Sequence, residues 1–90
     1  INDIEAIKSS SLAQKNIEEA AERFKHFLTN SKKWRNGYDH NHLRISRVIK
    51  SLRLLVNGER ANSFKHWVAC ELGQDIDKID QKTKKHWRLA

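Results

Sequence analysis

Ile45, Val48, Ile49, Leu52, Leu55 and Val56 recur at the spacing of one helical face. At about 100° per residue they fall within an arc of roughly 120°. A strand, whose side chains alternate with a period of two, would scatter the same six residues over both of its faces. Nothing nearby interrupts the pattern: the 90 residues include no proline and only 3 glycines. A chain with one such stripe and so few breakers is predicted to be all-α. The expected architecture is a compact bundle of four to five helices. Its spine is a basic and aliphatic helix over about residues 41–56.

The other helices follow from caps and periodicity. Asn2 or Asp3 can cap a short first helix from Ile4 to about Lys8, and the serines at 9–11 interrupt it and supply the next cap. Ala13, Ile17, Ala20, Phe24, Phe27 and Leu28 then mark one face of a second helix reaching about Thr29. Residues 30–39 form a loop with a turn signal at Asn36-Gly37. Its aromatics, Trp34 and Tyr38, are expected to fold back over the core as a lid; the alternative is a stacking platform for a ligand or base. Asp39 or Asn41 caps the third helix, which Asn57-Gly58 is expected to stop. A fourth runs from about Glu59 to Leu72, with Ala61, Phe64, Val68 and Leu72, together with Trp67, on its buried side, and ends at Gly73. Asp75 is expected to cap a fifth, in which Ile76, Ile79, Thr83 and Trp87 form a sparse apolar face. Ile45, Val48, Ile49, Leu52 and Leu55 should meet Phe24, Phe27, Phe64, Val68 and Trp87 at the centre of the core.

Charge limits the class of partner. The net charge is +7, and residues 31–60 hold most of the surplus, with 8 basic side chains against 2 acidic ones. Such a field attracts nucleic acid, an acidic protein surface or an anionic membrane face. No apolar run approaches the roughly 20 residues of a membrane span. The first residues lack the basic and apolar regions of a signal peptide. Cys70 is the single cysteine, which excludes an internal disulfide and fits a reducing, cytoplasmic setting, or a nuclear one in a eukaryote. Methionine is absent, so the single helical domain over residues 1–90 is expected to be a piece of a longer chain.

The segment His40-Asn41-x-Leu43-Arg44-Ile45-Ser46-Arg47-x-Ile49-Lys50-Ser51-Leu52-Arg53-Leu54-Leu55 resembles the conserved region of the opioid growth factor receptor family. That family's hallmark reads His-Asn-x-Leu-Arg-Ile-Thr/Ser-Arg-Ile-Leu/Lys-Ser-Leu. The likeness extends to Asp3-Ile4-Glu5-Ala6, to Phe24, Phe27 and Leu28, to Asn62-Ser63-Phe64 and to Thr83-Lys84-Lys85-His86-Trp87. The upstream aromatic block of the family, similar to Tyr-Ile-Gln-Trp-Leu-Phe-Pro, has no counterpart, so the likeness is to the C-terminal half of the region. Leu52-Arg53-Leu54-Leu55 is similar to bacterial-type relatives that lack the low-complexity tail of the animal receptors. The animal proteins are named for binding an enkephalin peptide and restraining growth. The resemblance implies the helical fold and a receptor-like module of unknown biochemical activity. Its partner would be a protein or the upstream part of the parent chain.

Candidate binding or motif residues are Trp34, His40, Asn41, His42, Arg44, Arg47 and Lys50. His40 and His42 flank Asn41, but a metal site wants three or four ligands; a cap at Asp39 or Asn41, with one imidazole on a loop carbonyl, is the expected arrangement. Arg44 and Arg47, one turn apart, can clamp a phosphate or carboxylate, or pair with Glu18, Glu19 or Glu22 to orient two helices. Cys70 and His66 lie one turn apart with no third member for nucleophilic catalysis. No glycine-rich phosphate loop or paired-carboxylate motif occurs. No enzyme activity, catalytic residue, metal or cofactor is expected. Leu43 and Leu54 draw a second, narrower apolar line on the third helix; a helix apolar on two sides is usually central and packed by neighbours on both, and in a fragment the second line instead waits for a missing partner. The reading that follows is a non-enzymatic helical interaction module, with weak, sequence-independent nucleic-acid binding through the basic middle third as the alternative.

Overall fold

The structure is a computed structural model that describes residues 3–37 and 39–90. Asn2 and Tyr38 lie outside the described residues. The described residues form five α-helices: α1 Asp3–Ser9, α2 Ser11–Asn30, α3 His40–Leu55, α4 Gly58–Leu72 and α5 Gln81–Leu89. Two 3-10 segments, Lys33–Arg35 and Gly73–Lys78, fill the connections. Strands are absent among the described residues; one isolated parallel bridge joins Gly37 to Ile79.

Side-chain caps set the helix starts. The Ser10 hydroxyl accepts from the Ala13 N–H and begins α2. Asp39 accepts from the Asn41 N–H at 2.9 Å and begins α3. Asn57-Gly58 is not the stop expected for α3. The Asn57 carboxamide accepts from the Arg60 N–H at 2.8 Å, so it starts α4, and Gly58 is that helix's first residue. An asparagine followed by glycine serves either end of a helix, and here the α3–α4 turn is too short to need a separate stop. Gly73 does end α4, with φ at +53°, where a residue with Cβ would be strained.

The fifth helix starts later than expected. Asp75 is bound to Arg35 at 3.7 Å and Lys78 at 3.2 Å instead of capping. Ile79 is extended, and its neighbours clasp Gly37: the Gly37 N–H donates to the Lys78 carbonyl at 3.0 Å and the Asp80 N–H to the Gly37 carbonyl at 3.4 Å. This backbone pairing breaks the helical run, and α5 begins only after Asp80.

One core joins α2, α3, α4 and α5. Ile45, Ile49 and Leu52 of α3 are buried together with Ala21, Phe24 and Leu28 of α2, Ala61, Phe64, Val68 and Leu72 of α4, and Trp87 of α5. Phe24 stacks on Phe64 with centroids 6.3 Å apart. Val48 and Leu55 are half-buried. Phe27, expected inside, is 44% exposed; it stacks on Phe24 at 6.3 Å, and the Arg44 guanidinium lies 5.5 Å from its centroid. Trp34, expected to fold back over the core, and Ile79, expected on the apolar face of the fifth helix, are buried in the same core. The N-terminal α1 buries no residue; Gln14 ties it down by donating to the carbonyls of Ile7 and Leu55.

Candidate functional site

The start of α3 divides the candidate residues into two sets. Trp34 and His42 are part of the fold. Trp34 is buried, and its indole N–H donates to the carbonyls of Leu28 at 2.8 Å and Ser31 at 3.0 Å. That burial removes its ring faces from a ligand, which corrects the stacking-platform alternative. His42 Nε2 is 2.6 Å from the Trp34 carbonyl oxygen, so it donates there. The same imidazole meets the Trp87 ring edge-on at 5.5 Å, and the Trp87 indole donates to the His42 carbonyl at 3.0 Å. One loop and two helices are thus fastened at His42, the loop carbonyl being held as expected for one of the two histidines. His40 stands exposed at the helix start.

Arg44 and Arg47 do not meet the acidic residues of α2. Glu18 pairs with Arg60 at 3.1 Å, Glu19 with Lys15 at 4.0 Å and Glu22 with Lys25 at 3.1 Å. Arg44 lies over Phe24, 4.9 Å from the ring centroid, as well as over Phe27, and donates to Asn41 Oδ1 at 3.0 Å. Cation–π attraction and cover for the exposed edge of Phe27 account for that placement. Asn41 therefore holds Arg44, whereas Asp39 makes the cap. We expect Asp39→Ala to reduce stability by about 1 kcal/mol and Asn41→Ala to change it by under about 0.5 kcal/mol, measured by urea unfolding.

The outward side of α3 carries the second set. Leu43, Arg47, Lys50 and Leu54 fall within about 60° of one another around the helix, with His40 beside them. Leu43 and Leu54 are each 54% exposed. Arg47 and Lys50 are exposed and form no ion pair with a described residue. The remaining cations of the basic middle third divide in the same way. Arg35 is half-buried against Glu71, with its guanidinium 2.7 Å from the carboxylate and 2.8 Å from the backbone carbonyl. Arg53 donates to the Ala90 carbonyl and to Asn62. Lys32 and Lys33 are exposed. Burial, and then the charge of Arg53, lower the pKa of Lys65 from its ordinary value; its ammonium donates to the Arg88 carbonyl at the end of α5.

Cys70 Sγ lies 3.4 Å from His66 Nε2 on the exposed side of α4. Among the described residues, no group of three or more His, Cys, Asp or Glu is placed to hold a metal ion, and no helix is long and apolar enough to cross a membrane. Sequence reasoning missed a groove between α3 and α5 where Ser46 and Lys50 face Lys82, Thr83 and His86. Spacing along the chain holds no sign of it, because the two walls lie more than thirty residues apart. Comparisons of the chain with protein-family models, curated proteins and solved structures find no match.

Proposed function

We propose that this chain is a non-enzymatic helical interaction module of an opioid growth factor receptor-like protein, working in a reducing compartment, and that the outward side of α3 is its docking face. The observation that carries the reading is the exposure of Leu43 and Leu54 on the same strip as Arg47 and Lys50. Two leucines three turns apart, with cations between them, complement an amphipathic helix bearing acidic residues beside its apolar line. Within the family-like segment, His42 holds the fold while Leu43, Arg47, Lys50 and Leu54 face outward, so the segment has both an architectural and a docking part in this reading.

A labelled amphipathic peptide of alternating leucine and glutamate turns tests this by fluorescence anisotropy. Leu43→Ser with Leu54→Ser should weaken binding by roughly tenfold or more, equivalent to about 1.4 kcal/mol, and leave the melting temperature nearly unchanged. Equal affinity for the wild-type and double-variant proteins would remove the docking face.

A second reading rests on Lys32, Lys33, Arg47 and Lys50, which are exposed and outside the ion pairs. It is weak, sequence-independent attraction of nucleic acid. Binding of labelled duplex or single-stranded DNA should then decline steeply with salt as counterions are released. Tight binding that survives near-physiological salt and discriminates sequence would place nucleic acid ahead of the peptide.

A further inference from the structure

We propose that the groove between α3 and α5 binds the phosphate group of a small phosphorylated molecule. The groove encloses about 360 Å³, the lower range of small-ligand sites. Ser46 and Thr83 form part of its lining from opposite helices. They are only 5% and 8% exposed, yet neither hydroxyl hydrogen-bonds to a described residue. The two side chains are packed in place while their hydroxyl oxygens stay open to the groove, where a polar group of this kind takes its partner from water or a ligand. Helical Ser and Thr commonly bond back to a carbonyl of the preceding turn, as Thr29 does to the Lys25 carbonyl at 2.9 Å. Two hydroxyls that forgo this and line one cavity are two donors waiting for an acceptor.

The surroundings specify the charge of that acceptor. Lys50 from α3 and Lys82 from α5 stand at the groove, both exposed and neither in an ion pair with a described residue. His86 adds a ring nitrogen. The first turn of α5 forms one side, and its N-cap residue, Asp80, makes no side-chain hydrogen bond to that turn. The positive end of the nine-residue helix is therefore left without a side-chain cap, which favours an anion nearby. Two hydroxyls, two ammonium groups and a helix N-terminus converge on the needs of a phosphate. Asp80 also lines the groove. Its carboxylate opposes a bare polyanion and suits a ligand that brings a hydroxyl donor beside the phosphate.

The test does not depend on peptide docking, because it leaves Leu43, Arg47, Lys50 and Leu54 intact. Amide chemical shifts of the ¹⁵N-labelled protein are followed while glycerol phosphate, inorganic phosphate or chloride is added. Glycerol phosphate should give saturable shifts at residues 46, 82, 83 and 86, whereas chloride should not. Tighter binding of glycerol phosphate than of inorganic phosphate assigns the site to a phosphomonoester; equal binding assigns it to free phosphate. Lys82→Gln, at an exposed position, should weaken binding by roughly tenfold. Thr83→Val and Ser46→Ala should also weaken it without lowering the melting temperature, since each removes an unpaired hydroxyl. Shifts spread evenly over the basic surface, or affinity unchanged in Lys82→Gln, would overturn the proposal, as would the absence of saturable shifts.

Discussion

Trp34→Ala is expected to lower the unfolding free energy by about 3–5 kcal/mol, a large part of the roughly 5–15 kcal/mol available to a domain. The indole is fully buried between α2 and α3. Its N–H holds the carbonyls of Leu28 and Ser31, and its own carbonyl holds the imidazole of His42. Alanine would leave a cavity at the point where the loop meets both helices. Trp34→Phe separates the contributions: it retains much of the ring volume and deletes the donor, so about 1–3 kcal/mol of the loss should remain. Urea unfolding followed by far-ultraviolet circular dichroism measures both. A midpoint for Trp34→Ala within error of the wild type would refute the anchoring role.

Ile49→Ala is the second large effect, at about 2–5 kcal/mol. Ile49 is fully buried at the middle of α3, the helix against which both α4 and α5 pack. Helices packed on two sides limit how far the site can collapse, so the loss should fall in the upper part of that range. Leu55→Ala, at a half-buried position near the end of the same stripe, should lose about 1–2 kcal/mol. Thermal unfolding of the pair checks the order. A larger loss at Leu55 than at Ile49 would mean that the centre of the core is elsewhere.

These two residues also show how far the sequence could be read. Ile49 was legible, because the stripe from Ile45 to Leu52 has a single period and a helix leaves it only one side to bury. Trp34 was legible as an aromatic with no helix of its own, but its position was not. Its partners are backbone carbonyls, and a sequence does not display which carbonyls remain free at the end of α2. The same difficulty hid the identity of the cap at α3. Asp39 and Asn41 are equivalent by residue type, and only the geometry of the turn lets Asp39 reach the Asn41 N–H. Pairing of Arg44 and Arg47 with the acids of α2 was one of two readings; Arg44 instead lies over Phe24 and Phe27, where the Phe27 ring is left partly exposed beside it. The α3–α5 groove depends on the break at Ile79 and Asp80, which a pairing with Gly37 creates across the chain. Side-chain patterns carry no signal for such a pairing.

That pairing also orders the events of folding. Contacts within and between successive helices close short loops and form early, whereas joining Gly37 to Ile79 closes a loop of more than forty residues. The bridge has little to hold it until α3 and α4 have packed and set its two strands of backbone side by side. The Gly37 and Asp80 amides are therefore expected to be protected late, together with the Trp87–His42 bond that docks α5 on α3. Their hydrogen exchange reports the docking of α5 separately from the unfolding of the bundle, and a molecule seated between α3 and α5 would slow it before it slowed any amide in the middle of α3.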